Sequence, residues 1–380
     1  MLIIRNKNYN IMANIEYKHL AEIISKWRVD KNLPLSAKEI LKKNPLLSAD
    51  VVAQLLSAIV QSYSYDYFKD IVRLVSAYER DLEKNPNSML QASFAAWAKG
   101  FQSETEKWSK NLIAMAPAHP AGYMRLGLNY LTSQKFVEAF VALSAGMRNA
   151  NNDQSLIAWF HLAQRMASGS REVVFEKYGK RFRFSLSCFN TQATESDAAH
   201  LGGQFTEEQE LDFLAGALAG CKSFVEVGAL VGNHTVFLAS VFRPEKYLVV
   251  DADELSIAET MANVELNREN YPQTIFSFVE SALAGSGGEE VQIGRKKVMT
   301  RTLEDLLPED VDFLKIDIDG MEGALLEPLV AFASDKDIRI FIEVETRFLS
   351  NYEKRMATIG YQIIHRSDHG SYLNLLLKRV

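Results

Sequence analysis

The residues able to do chemistry gather in three short runs. The first is SFVEVGALVGNHTVFLASVF, residues 223–242. Its apolar start reads as a buried strand ending at Val227, Gly228, Ala229 and Gly232 as a tight turn, and Asn233–Thr235 as the opening of a helix. Small residues there let backbone amides approach a ligand, and a helix N-terminus favours a carboxylate or phosphate. Such a turn could serve NAD, FAD or S-adenosylmethionine. The second run, YLVVDADE, ends in Asp251, about 20 residues after the turn, where a carboxylate can accept hydrogen bonds from both hydroxyls of a ribose. The third is VDFLKIDIDGMEGALLEPL, residues 311–329. Asp317 and Asp319 lie two apart and so share a side of an extended chain, Gly320 turns the chain, and Glu322 enters a helix. Three carboxylates thus cluster at the C-terminal edge of a sheet, where open α/β proteins bind ligands. Dehydrogenases do not need such a cluster, and the turn is ExGxxxGN rather than GxGxxG, so S-adenosylmethionine is favoured over NAD.

These runs need a frame. From residue 223 onward strands at 223–227, 246–251, 275–279, 312–317, 338–344, 361–365 and 371–377 alternate with helices, which predicts a mostly parallel sheet closed by an antiparallel pair. Upstream, Val173–Tyr178 and Arg181–Cys188 predict a hairpin turned at Gly179 and Lys180. Residues 189–204 read as a polar loop, and Thr206 with Glu208 and Glu210 opens a helix running to Gly220.

The first 165 residues read as helices throughout. Leu20, Ile23, Ile24 and Trp27 follow helical spacing, as do Val51, Val52, Leu55, Leu56 and Ile59, with Ser48 and Asp50 placed as N-caps. Within 120–153, Tyr123, Leu126, Gly127, Tyr130, Ala139, Leu143 and Gly146 stand at the spacings of a tetratricopeptide repeat, small residues letting two helices approach closely. An ordinary helical bundle is the alternative. The expected organisation is a helical, tetratricopeptide-like domain over 1–165, a connecting hairpin and helix over 166–222, and a Rossmann-like α/β domain over 223–380.

The combination of VEVGALVGNHTVFLA, VVDADELSIAETMANVELN, TLEDLL at 302–307 and LKIDIDGMEGALLEPL resembles the FkbM methyltransferases over roughly residues 200–380. The family often has Asp where Glu226 stands, and Glu where Asp251 and Asp319 stand. The resemblance implies a class I methyltransferase sheet of about seven strands, S-adenosyl-L-methionine as donor, and O-methylation, commonly of sugars or related polar metabolites. It places Glu226, Gly228, Ala229, Gly232 and Asn233 around the methionine end of the cofactor and Asp251 on the ribose. Ala252, Ser281 and Ala282 would flank the adenine, and Asp317 would sit beside the reacting methyl. A sugar hydroxyl is a poor nucleophile, so a nearby base should help: Asp317 is the first candidate, with Asp319 and Glu322 behind it. Ligation of Mg2+ by Asp317 and Asp319 is an alternative that is not favoured.

The net charge of −6 argues against a nucleic-acid partner, and the Arg295–Lys296–Lys297 triplet reads as a solvated turn. Cys188 and Cys221 form neither a metal spacing nor a disulfide framework and read as small apolar fillers, with no histidine or basic partner neighbouring them in sequence. No signal peptide or apolar membrane span is evident, so a cytoplasmic location is expected. His234 reads as packing at the helix start, His365 and His369 as a turn near the pocket, and Glu343 and Glu345 as strand-end carboxylates facing the same edge. The expected partners are a small-molecule or glycan acceptor and a protein or second copy held by the helical domain. The competing functions are a protein or peptide methyltransferase and a non-catalytic scaffold.

Overall fold

The computed structural model describes residues 86–98, 100–293, 296–318, 322–369 and 372–380. The helical spacings and caps read between Leu20 and Ile59, and Arg295, Asp319 and Gly320, lie outside the described residues, as does the side chain of Glu322. The chain divides into two compact units, 1–168 and 169–380.

In the first unit the described residues form five helices: α1 (Pro86–Ala98), α2 (Gln102–Met115), α3 (Pro120–Thr132), α4 (Phe136–Asn149) and α5 (Gln154–Ala167). Helix α3 starts with Pro120, preceded by His119, whose Nδ1 accepts from the Ala121 amide; α5 is capped by Asp153. Two glycines bring α3 and α4 together. A Cβ on Gly127 would lie 2.4 Å from Leu143 Cγ, and one on Gly146 would lie 2.6 Å from Tyr123 Cβ. The Tyr123 hydroxyl closes the corner, donating to Pro117 O and accepting from Asn149 Nδ2.

The second unit opens with the hairpin β1 (Glu172–Lys177) and β2 (Lys180–Ser185), turned through Tyr178 and Gly179 at positive φ. Helices α6 (Thr191–Leu201) and α7 (Glu208–Ala217) follow. The polar loop expected over 189–204 is thus largely helix. Its buried face is made of Ala193, Thr194, Ser196, Asp197 and His200, so it shows no apolar stripe. What holds it is polar: Asn190 caps the first turn, and Asp197 accepts from the amides of Ser187 and Cys188.

The main sheet comprises β3 (Ser223–Val227), β4 (Lys246–Asp251), β5 (Ile275–Glu280), β9 (Phe313–Ile316), β10 (Arg339–Glu345), β11 (Tyr361–Asp368) and β12 (Tyr372–Arg379), in the order β11-β12-β10-β9-β3-β4-β5. Helices α8 (Asn233–Phe242), α9 (Glu254–Leu266), α10 (Leu303–Leu306), α11 (Glu322–Ala333) and α12 (Leu349–Ala357) connect its strands. Strands β5 to β10 along this order are parallel; β12 and β11 close the edge antiparallel. This is a Rossmann-like α/β sheet of seven strands. A small sheet, β6 (Ala282–Leu283), β8 (Lys296–Arg301) and β7 (Glu290–Ile293), was not foreseen. On one face Val225, Val227, Leu314, Ile316, Ile340 and Ile342 build an apolar core with α11 and α12. The chain leaves β3 toward one side of the sheet and reaches β9 from the other, so the crevice between their C-terminal ends is the topological switch point, the usual ligand position in open α/β sheets.

Candidate active site

The turn after β3 sits at that switch point. Gly228, Leu230 and Gly232 all have positive φ, of 86°, 53° and 75°. At Gly228 both the conformation and the space require glycine: a Cβ there would lie 1.8 Å from the Asp317 carbonyl oxygen, so the backbones leaving β3 and β9 touch. At Gly232 a Cβ would meet Thr260 at 2.9 Å, where α9 packs on the turn.

Asp251 ends β4 beside the turn. Its Oδ2 accepts from the amides of Ala229, at 2.9 Å, and Leu230, at 3.2 Å, and its Oδ1 accepts from the Asp253 amide at 2.9 Å. Burial outweighs these bonds and lifts its carboxyl above the usual range. A carboxylate has about four lone-pair positions, so one remains for a ligand hydroxyl. Ala252 follows, and the Ser281 amide donates to the Asp251 carbonyl, which brings Ser281 and Ala282 beside the end of β4. The Ser281 hydroxyl turns away, to Met299 O at 3.1 Å.

Two of the residues expected at the cofactor are committed elsewhere. Asn233 Oδ1 accepts from His200 Nε2 and the Thr206 amide, and its Nδ2 donates to Thr206 O, so it clamps the chain ahead of α7. Glu226, 1% exposed, accepts from Thr235 Oγ1 at 2.6 Å and the Tyr247 hydroxyl at 2.9 Å inside the protein.

The buried cation that balances Glu226 is Lys315, which the reading of the sequence passed over. Lys315 is 2% exposed. Its ammonium donates to Asp317 Oδ2 at 3.0 Å and Gly228 O at 3.1 Å, and lies 3.5 Å from Glu226 Oε1. Burial works against its charge but is outweighed by Asp317, Glu226 and Glu207, so its pKa stands above the ordinary lysine value. Burial likewise lifts Glu226 despite Lys315. Lys315 therefore ties the turn, the interior carboxylate and Asp317 into one unit.

Glu207, also missed, reaches the same place from the residue before α7, with a left-handed backbone at φ 55°. Burial first, then the charge of Asp317, pushes its carboxyl up to about 7. His234 Nε2 lies 3.3 Å from Glu207 Oε2; burial, then Lys315, holds its pKa well below the usual imidazole range. Glu207, His234 and Asp317 offer donor atoms within 4.8 Å of one another. His234 is packed at the helix start, as its sequence position suggests, with Nε2 beside Glu207.

Around this centre, His369 Nε2 meets Glu210 Oε1 at 2.6 Å, and Ser367 donates to the same oxygen. Burial and then Glu343, Glu207 and Asp317 raise the Tyr372 phenol, which places the start of β12 against the cluster. His365 instead stacks on Phe213, and Glu345 pairs with Arg347. Lys296 and Lys297 are exposed and paired with Glu254, Glu280 and Glu290. Cys188 is a buried filler. Cys221 does have a basic neighbour, Arg339 Nη1 at 3.0 Å from its sulfur, delivered by β10 from 118 positions away; burial still raises the thiol.

Residues 226–379 match the family described as Methyltransferase FkbM domain. No curated protein matches the chain. Among solved structures, the chain is similar to a methyltransferase FkbM from Methylobacillus flagellatus KT, at 15% identity and TM-score 0.35, covering 71% of this chain and 60% of that one. It is similar to the M. jannaschii TYW2 in complex with AdoMet, at 14% identity and TM-score 0.33, over 55% of this chain and 87% of that one. A ribosomal protein L11 methylase from Lactobacillus delbrueckii subsp. bulgaricus is similar at 15% identity and TM-score 0.32, over 46% and 79% of the two chains. Likenesses this loose carry no weight on activity or acceptor.

Proposed function

We propose, from the premise that residues 226–379 are an FkbM-type S-adenosylmethionine-dependent methyltransferase domain, that this protein O-methylates a sugar or glycan precursor. The observation that carries the reading is the turn Gly228–Gly232 locked against Asp251, with an excess of carboxylates beside it. These residues fit the donor. Asp251 keeps an acceptor position for a ribose hydroxyl, and the anionic cluster complements a cationic sulfonium and ammonium. Gly228, Ala229 and Gly232 would line the methionine end, with Glu226 and Asn233 supporting the turn from behind. Asp251 would hold the ribose, and Ala252, Ser281 and Ala282 the adenine side. When bound, S-adenosylmethionine supplies an electrophilic methyl group. The protein aligns the acceptor hydroxyl, a contribution of several kcal/mol in oriented reactions, roughly 7–11 at best. Asp317, oriented by Lys315, is the group we place beside that hydroxyl, with Asp319 and Glu322 following it in the chain; the acceptor proton leaves toward this carboxylate cluster.

In this reading residues 1–165 form a tetratricopeptide-like module that recruits a protein partner or a second copy, 166–222 connect, and 223–380 catalyse. The close approach at Gly127 and Gly146 supports the module. Among the described residues no helix is long and apolar enough to cross a membrane. We place the protein in the cytoplasm, a reading that two free buried cysteines support.

The test is calorimetric titration of the full chain with S-adenosylmethionine and S-adenosylhomocysteine, with NAD as control, followed by transfer of labelled methyl to cell fractions. Saturable binding of the first two and label in carbohydrate is the expected result. Label confined to protein would replace the acceptor class with a polypeptide, and a folded protein that binds neither compound would refute the enzymatic reading.

A further inference from the structure

Three segments far apart in the chain aim nitrogen and oxygen donors at one point. Glu207 comes from the residue before α7, His234 from the first turn of α8, and Asp317 from the end of β9; their donor atoms lie within 4.8 Å of one another. Donors around a single ion at about 2.1 Å are separated by about 3 Å when adjacent and about 4 Å when opposite, so small side-chain adjustments suffice.

His234 supplies the second observation. It is 6% exposed, and its Nε2 has no hydrogen-bond partner. That nitrogen stands 3.3 Å from Glu207 Oε2 without hydrogen-bond geometry, the separation of two neighbouring ligands on an ion. A buried unpartnered nitrogen in a native protein calls for an explanation, and an ion is one.

Charge points the same way. Glu226, Asp317 and Glu207 are three carboxyl groups gathered about the single ammonium of Lys315, an arrangement that favours a bound cation. The donors are also held in place: Asn233 fixes the Thr206 backbone just ahead of Glu207, and Lys315 engages one oxygen of Asp317, leaving the other oxygen of that carboxylate as a ligand.

We propose that Glu207, His234 and Asp317 form a site for one divalent first-row transition-metal ion. One imidazole with two carboxylates suits Mn2+, Fe2+ or Zn2+ better than Mg2+, which prefers oxygen donors alone. Three protein ligands leave open positions. Resting on the methyltransferase reading, an open position would take the acceptor hydroxyl and make it more acidic, its proton leaving to solvent water as the methyl is transferred, so that Asp317 would act on the acceptor through the ion rather than as its base.

The experiment uses the full chain, stripped with EDTA and titrated with MnCl2, with free Mn2+ followed by electron paramagnetic resonance. One equivalent of saturable binding is expected. Glu207→Gln and His234→Gln should each weaken it at least tenfold, as loss of a ligand does, while thermal unfolding shows both variants folded. No saturable binding by the folded wild type would overturn the site, as would unchanged binding in both folded variants. Calorimetry with S-adenosylmethionine separates the two readings. Cofactor binding without Mn2+ binding refutes the metal site alone, and Mn2+ binding without cofactor binding refutes the cofactor reading alone.

Discussion

Lys315 offers the sharpest quantitative test. Changing Lys315→Met keeps an unbranched chain of similar length and removes the charge from between two carboxylates. Asp317 is about one-third exposed, so water compensates much of its loss. Glu226 is 1% exposed and would retain only the hydroxyls of Thr235 and Tyr247. Breaking a buried pair from one side costs about 3–5 kcal/mol, because the partner charge is stranded. The unit concerned spans residues 169–380, a size at which each kcal/mol lowers Tm by about 2–4 °C, so the fall should be roughly 6–20 °C. Glu226→Gln in the same background removes the stranded charge and keeps the bonds to both hydroxyls. The double variant should therefore recover much of the loss, with a coupling of about 2–3 kcal/mol in a double-mutant cycle. The pH dependence has a definite sign. Alone, Glu226 has a raised folded pKa, and such a group's stabilising contribution is present at low pH and lost as pH rises through that value. The Lys315→Met deficit should shrink from pH 8 to pH 5. Calorimetric unfolding of the four proteins decides it: additive effects, with coupling under about 0.5 kcal/mol, would refute the idea that Lys315 and Glu226 act as a pair.

Other expectations are as direct. Gly228→Ala places a Cβ against the Asp317 carbonyl at 1.8 Å and adds about 1–3 kcal/mol of left-handed strain, so cofactor affinity should fall at least tenfold in calorimetry; undiminished affinity would mean the turn is not the cofactor's seat. Burial raises Asp197 from 3.8 to about 7, so its contribution to stability is present below pH 4 and lost as pH climbs through 7, up to about 4 kcal/mol at 1.36 per unit. Asp197→Asn can still accept from the Ser187 and Cys188 amides and should unfold at a higher temperature than wild type at pH 8, an advantage that vanishes near pH 4; a pH-independent difference would contradict the burial argument. In the helical unit, Gly127→Ala gains about 1 kcal/mol of helix propensity but drives a methyl into fully buried Leu143, costing about 1–3 kcal/mol, and Leu143→Ala in the same chain should compensate; additive losses would argue against the contact.

The parts that were legible in the chain were local. The turn at Gly228–Gly232 and the carboxylate closing β4 announce themselves within 30 residues, because glycine requirement and strand end are short-range properties. The apolar strands read correctly for the same reason. Lys315 was overlooked although it carries a signal: a lysine inside FLKI, an otherwise apolar strand buried on both faces, must have a partner. Glu207 carries none, since its left-handed backbone and its approach to His234 follow from where α7 docks. Helix α6 escaped because polar residues, Asp197 and His200 among them, fill its buried face, and periodicity only sees apolar stripes. The pairing of Cys221 with Arg339 depends on sheet order and has no trace at short range.

The Asn233 clamp has a consequence for motion. Its side chain grips Thr206 by both the amide and the carbonyl while accepting from His200, so the stretch from His200 to Glu207 cannot lift unless the first turn of α8 lets go. The two form a single opening unit in the sense of amide exchange with solvent. Whatever stiffens the glycine turn must also quiet the Thr206 amide, a half-buried reporter held by the Asn233 side chain that no ligand needs to touch.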